Sequence, residues 1–222
     1  MKKIKVSSEF LKWLALISMT TDHIDRIYIK LGWLSDSLGR MAFPLFSFLL
    51  ISNFVSYHPV KKYLVRLGSF ALLTQLLFYF FHFESKNVLF SFFNAILFIV
   101  LTEKISKIIK NFYIQTYFIM MLLCGFLPLI LCTDYSVFGF FFLLALYAYM
   151  QNMSKINYLS VLVTSIFLNL GNPLSVFITT LTVVVLLSAI QMVKSHRRIH
   201  WRFFYLYYPL HKIVLHILKE LF

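Results

Sequence analysis

The chain has 222 residues, of which 60% are hydrophobic, 13% charged and 26 are Phe. Soluble domains carry about 25% charged residues, and a chain this short exposes much of its surface to its solvent. That solvent must therefore be mostly lipid, and a water-soluble domain is excluded. A formal charge of +13 would point to nucleic acid in a soluble protein. Here the basic residues stand in short runs between apolar blocks, as loop anchors do, so no nucleic-acid partner is expected.

The N-terminus, MKKIKVSSEFLKWLALISMTTDHIDR, joins a basic start to an apolar run. No small-residue cleavage site follows the run, so it reads as a retained first span and not as a signal peptide. A span needs about 20 apolar residues. Nine segments are read as spans, near 10–30, 39–57, 64–82, 88–102, 112–132, 136–151, 156–172, 174–193 and 203–220, the fourth and sixth being short. Gly171-Asn172-Pro173 is a turn signal that separates the seventh from the eighth. Cys124 and Cys132 share the fifth segment. On a helix they would be about 12 Å apart, too far for a disulfide, so both are expected as free, buried thiols. The expected fold is an all-α polytopic transmembrane helix bundle forming one domain over 1–222, without an internal repeat.

The loops alternate sides. One side receives Lys2, Lys3, Lys5, Lys12, Lys61, Lys62, Arg66, Lys104, Lys107, Lys110, Lys155, Lys194, Arg197, Arg198 and Arg202, which is 15 of the 21 basic residues. The excess of Lys and Arg marks the cytoplasmic side, so the N-terminus is expected inside and the C-terminus outside. Asp36, Glu84 and Asp134 then fall on the outer side.

The first span holds Asp22, His23, Asp25 and Arg26 after Thr20 and Thr21. Each charge at mid-membrane costs about 2.5–3.5 kcal/mol on insertion scales, so these groups will not face lipid. Asp22 and Arg26 are four apart and share a helix face, with Asp25 nearly on it, whereas His23 points about 100° away. One reading is an ion pair that ends the helix at the outer interface. The other is a water-accessible site in which an Asp orients and tunes a histidine acting as general base.

The second span opens with Gly39-Arg40-Met41-Ala42-Phe43-Pro44. Arg40 is either an interfacial anchor or a binder of an anionic group, or a support for Asp22 or Asp25. Pro44 would open a local kink. The last span contains Tyr205, Tyr207, Tyr208, Pro209, His211, Lys212 and His216. Tyr205 and Tyr207 read as an aromatic belt, and His211, deeper in the span, as a site residue. His211 lies about 13 Å from the cytoplasmic end, on the inner side of the Asp-His pair, so the site would extend across the membrane. His58, His82, His196 and His200 read as loop or interface residues. Asn87 and Asp134-Tyr135 begin the fourth and sixth spans, and Asn94 and Gln75 are isolated amides suited to interhelical hydrogen bonds. No metal-ligand spacing, phosphate loop or nucleophile elbow is present.

The strings LKWLALISMTTDHID (11–25), LGRMAFPLFSFLL (38–50), KYLVRLGSFALLTQLLF (62–78), NVLFSF (87–92), DYSVFGFFFLLALY (134–147) and FYLYYPLHKIVL (204–215) resemble, in order, the TraX family of membrane proteins. The resemblance implies acyl transfer, because such proteins are associated with N-terminal acetylation of conjugative pilin and are similar to membrane acetyltransferases acting on glycans. It implies acetyl-CoA as donor, a pilin or glycan acceptor, and a bacterial plasma membrane. The matching positions are Asp22, His23, Arg40, Pro44, Arg66, Asn87, Asp134, Tyr135, Tyr208, Pro209 and His211. The chain departs from the family's usual Gly at Asp25 and at Asn94.

On this reading Asp22, His23, Arg40 and His211 carry catalysis, and Arg26, Arg66, Asn87, Asp134, Tyr135 and Tyr208 bind substrate. Lys61, Lys62, Arg66 and the Lys194–Arg202 cluster would attract the donor phosphates. His23 would deprotonate an amine or hydroxyl, or carry the acyl group itself, and Arg40 or Arg26 would stabilise the developing charge. The rivals are a proton-coupled transporter using Asp22, His23 and Arg26 as relay, and a noncatalytic envelope or pilus assembly protein.

Overall fold

The computed structural model describes residues 3–56, 59–83, 86–193 and 200–221. Lys2, His58, Glu84, Lys194, His196, Arg197 and Arg198 lie outside the described residues.

Among the described residues the chain is all-α but for one short strand pair. Its helices are α1 (Ser8–Ile24), α2 (Trp33–Ser37), α3 (Ala42–Ser56), α4 (Val60–Phe80), α5 (Val88–Ile108), α6 (Phe112–Leu131), α7 (Ser136–Gln151), α8 (Lys155–Phe167), α9 (Pro173–Val184) and α10 (Trp201–Leu221). Among the described residues, four stretches are long and apolar enough to cross a membrane by length and composition: Trp33–Ser56, Val60–Phe80, Val88–Ile108 and Phe112–Leu131. Ser136–Gln151, Lys155–Phe167 and Pro173–Ala189 are apolar but shorter.

Polar residues start these helices where the apolar runs begin. Ser7, Asn87, Asn111, Ser154 and Asn172 each accept a backbone N–H from the first turn of α1, α5, α6, α8 and α9, which satisfies donors that the helix itself leaves open. Asn172 is followed by Pro173 at the first helical position, so the turn signal at 171–173 marks a real boundary.

The ends of the fourth and eighth segments differ most from the sequence reading. The fourth segment does not stop near 102, since α5 continues to Ile108 with Lys104 and Lys107 on its last turns. The eighth segment is α-helical only to Val184, turns through a π-helical stretch at Val185–Ala189 and ends as a strand, Ile190–Val193. That strand, β2, pairs in parallel with β1 (Ile4–Ser7), Ile4 opposite Ile190 and Ser7 opposite Val193. A short apolar run has no periodicity that separates strand from buried helix, so hydrophobicity alone could not reveal the pair.

The chain forms two compact units, Met1–Ser56 with Ala145–Phe222, and Tyr57–Leu144. In the first unit, α1 buries Leu11, Ala15 and Leu16, and α3 buries Leu45, Ile51 and Phe54. The two helices pack along their lengths. Ser18 Oγ donates to the Leu38 carbonyl and ties α1 to the turn that leads into α3. α10 runs parallel to α1, because Tyr207, His211 and Leu215 meet Thr20, His23 and Tyr28 in the same order. α9 runs the other way. Its start is tied to Asp36, beyond the end of α1, and β2 beyond its end pairs with β1 before α1.

Asp36 is the fastening at the start of α9: Asn172 Nδ2 donates to it at 2.7 Å and Ser175 Oγ at 3.4 Å. Asn172 therefore caps α9 and grips a carboxylate at once. Asn172→Ala removes a cap, worth about 1 kcal/mol, and a hydrogen bond to a charged group, worth about 1.5–3 kcal/mol. It should lower unfolding stability in detergent by about 2 kcal/mol. An unchanged thermal midpoint would show that neither bond matters.

In the second unit, α4 packs on α5 and α5 on α6. Gly68 lets α4 approach α5, since a Cβ there would lie 2.9 Å from Phe93 Cε2. Phe98 meets Phe126 and Phe140 edge-on at 5.6 and 5.2 Å, the arrangement that aromatic quadrupoles favour. α6 buries only Phe126 and Ile130, and exposes apolar residues on its remaining faces. A helix of this kind has lipid as its solvent. Cys124 and Cys132 are free, as expected, but exposed on this helix and not buried. Of the two isolated amides, Asn94 bridges to the Leu129 carbonyl of α6 at 3.4 Å, whereas Gln75 is exposed.

Candidate functional site

The parallel contact of α1 and α10 brings the two site histidines together. His23 Nδ1 lies 2.7 Å from His211 Nε2. The rings are nearly coplanar, 12° apart with centroids at 4.9 Å, as an in-plane N–H···N bond requires. The other ring nitrogen of His211, Nδ1, is 2.8 Å from the Tyr207 carbonyl. His211 is buried, at 8% exposure, while His23 is only half-buried.

Two further bonds flank the pair. Thr20 gives its hydroxyl proton to the Leu16 carbonyl, so Tyr207 OH donates to Thr20 Oγ1 at 2.8 Å. Beyond the histidines, Tyr28 OH donates to the Leu215 carbonyl at 2.8 Å. The contact residues on α10 are four apart, whereas Tyr28 is five beyond His23. The π-helical turn at Asp25–Ile29 accounts for that step. Its ring closes at five residues, Lys30 N–H bonding Asp25 O at 2.6 Å, which carries Tyr28 round to the contact face.

The expectation that Asp22 orients His23 does not hold. The His23 ring bonds to His211, while Asp22 binds Arg26 at 3.0 Å. Neighbours on a helix point about 100° apart, so Asp22 and His23 serve different faces. Nor does His211 lie on the inner side of His23, with a site extended across the membrane: the two rings stand at one level and touch. His23 is about 22 Å into α1 and His211 about 15 Å into α10, and their direct bond means the two helix starts are offset by about 7 Å.

Asp25, at 1% exposure, is not part of the charge pair. Its carboxylate accepts the backbone N–H of Leu31 at 3.0 Å, Gly32 at 3.1 Å and Ser35 at 3.2 Å. It therefore holds the turn after the π-helix, where Lys30 and Gly32 have positive φ, and caps α2. Arg40 pairs with Asp36 at 3.7 Å and not with Asp22 or Asp25. The residue beside it, Gly39, rests on Asp22. The Arg40 Nε is buried with no hydrogen-bond partner. Tyr208 is buried, with its ring 6.0 Å from that of His211 and under the Lys212 ammonium at 5.3 Å, a cation–π distance.

Arg66, Asn87, Asp134 and Tyr135 belong to the second unit. Asn87 is only 2% exposed, caps α5 and donates to the Ala71 carbonyl at 2.9 Å, so its amide serves the packing of α4 on α5. The Asp134 carbonyl accepts from Ser91 Oγ at 2.5 Å, and its carboxylate accepts the Tyr135 N–H at 3.1 Å. Tyr135 takes a positive φ in the turn before α7. Arg66 lies over the Tyr63 ring at 5.2 Å.

Tyr207 is the residue that the sequence reading placed wrongly. Its hydroxyl and carbonyl both serve the site, and its ring stacks on His211 at 5.2 Å and 11°. The signal was available, since Tyr207 stands four residues before His211 and therefore on the same helix face.

An all-α chain with long apolar helices and a histidine pair where two parallel helices meet is consistent with a membrane protein that keeps its polar chemistry inside a helix bundle. The chain belongs to the TraX family, whose model, described as TraX protein, matches residues 7–219. Searches of curated proteins and of solved structures find no match.

Proposed function

We propose that this protein is an acyltransferase of the bacterial plasma membrane that moves acetyl from acetyl-CoA to an amine or hydroxyl. The acceptor would be the N-terminus of a pilin or a cell-surface glycan. The observation that carries the reading is the hydrogen-bonded pair of His23 and His211 between α1 and α10. Ionisable groups inside a helix bundle are costly and mark function, and an imidazole held by a second imidazole is suited to taking a proton from an acceptor.

The donor needs cations for its phosphates. Arg202, exposed at the start of α10 in the unit that holds the histidine pair, would supply one of them. Arg26, half-exposed beside Asp22, and Arg40 with its buried Nε would stabilise negative charge on the acyl carbonyl.

The proposed topology has nine crossings with the N-terminus inside. The parallel run of α1 and α10 supports an odd number of crossings, because two helices that cross in the same direction are separated by an odd number of crossings. The opposite run of α9 fits the same count.

The test is transfer of labelled acetyl from acetyl-CoA, in proteoliposomes, to a pilin N-terminal peptide or an amino sugar. Labelled product supports the reading. Substrate-driven proton flux without labelled product would favour a transporter in its place.

A further inference from the structure

We infer that Nε2 of His23 is the reacting nitrogen of the site, and that His211 is the positioning residue that leaves it free. The inference rests on the acyl-transfer reading for what this nitrogen does, but not for which nitrogen is free.

The assignment follows from hydrogen-bond bookkeeping. A carbonyl oxygen only accepts, so His211 Nδ1, 2.8 Å from the Tyr207 carbonyl, carries a proton. The Nε2 of a neutral His211 then holds a lone pair. A nitrogen 2.7 Å from that lone pair must donate, so His23 carries its proton on Nδ1. What remains is the lone pair on His23 Nε2. It belongs to the half-buried ring, whereas His211 is the buried one. The order is therefore carbonyl, buried ring, accessible ring, free lone pair.

The surroundings fix this order. Tyr207 and His211 are four apart on α10, so carbonyl and ring meet within one turn. The Tyr207 ring lies against His211 at 5.2 Å and 11°, and its hydroxyl is anchored on Thr20. Neither ring can turn over without breaking a bond to the other or to the Tyr207 carbonyl. The second ring nitrogen of a histidine sets the role of the first in the same way wherever a histidine serves as base or ligand.

In the reaction, a neutral acceptor amine attacks the carbonyl carbon of an acyl thioester. Its N–H proton passes to His23 Nε2 as the new C–N bond forms and the C–S bond breaks. The thiolate leaving group takes that proton from Nε2 and departs as the thiol, which returns His23 to its neutral form. His211 receives no proton at any point. While His23 is charged, its Nδ1–H bond to His211 Nε2 is charge-assisted and stronger.

The test reads the nitrogens and the rate separately. In protein labelled with ¹⁵N-histidine and assigned by single substitutions, His23 should show an unprotonated Nε2 and a protonated Nδ1, and His211 the reverse. His211→Phe should mix the two His23 forms and lower kcat by about 10²-fold, with KM changed little. His211→Gln, whose side-chain oxygen can accept the same Nδ1–H, should recover most of the rate. A neutral His23 protonated on Nε2 would overturn the inference. So would a His211→Phe protein with unchanged kcat and an unchanged spectrum. The wild-type spectrum needs no substrate. A protein with the assigned tautomers that transfers no acyl group overturns the acyl-transfer reading alone.

Discussion

Asp25→Ala should destabilise the protein by about 3 kcal/mol, the largest loss expected from one side chain outside the histidine pair. The carboxylate accepts three backbone N–H groups, from Leu31, Gly32 and Ser35. Hydrogen bonds to a charged acceptor are worth about 1.5–3 kcal/mol each. Water can replace those to Leu31 and Gly32, which are exposed, but not the one to buried Ser35. The effect should spread, because α2 carries Asp36 and through it the bonds to Asn172 and Ser175 of α9. Asp25→Asn keeps one oxygen for Gly32 and Ser35 but turns an amide towards the Leu31 N–H, so it should fall between wild type and alanine. Thermal unfolding in detergent checks the order, and an alanine variant as stable as wild type would remove the capping role.

Gly39→Ala is the second. A Cβ at position 39 would lie 2.7 Å from Asp22 Cγ and still closer to Asp22 Cβ. The Cβ cannot swing away, because it is fixed to α1, and the carboxylate beyond it is bound to Arg26. The turn and the helix must therefore part. Overpacking of this kind costs about 1–3 kcal/mol, and Ser18 would lose its bond to the Leu38 carbonyl as the turn moves. Asp22→Gly in the same chain should give back part of the loss, since it removes the obstructing Cβ. Two substitutions that simply added would show that the contact is not the cause.

These two sites show what the sequence could and could not disclose. The apolar segments, the turn at 171–173 and the ionisable cluster of the first span were legible because lipid penalises charge and rewards length, and both are written in composition. The pairing of Asp22 with Arg26 was legible from helical spacing. The partner of His23 was not. It lies 188 residues away, and a choice between Asp22 and His211 depends on which face of α1 meets α10. The π-helical turn was equally hidden, although without it Tyr28 would miss Leu215. Asp25 looked like one charge too many, but its carboxylate is spent on local backbone. That explains how an Asp can stand where the resemblance leads one to expect Gly. Gly39 and Asp22 stand in separate strings, and only the fold shows that one string is small because the other presses on it.

The most direct measurement is the rate at which purified protein in proteoliposomes transfers label from acetyl-CoA to an acceptor amine, wild type against His23→Ala. A positioned general base contributes about 10²–10⁴-fold, so the variant should fall by that factor while its helix content stays close to wild type. Equal transfer by the two proteins would contradict the account.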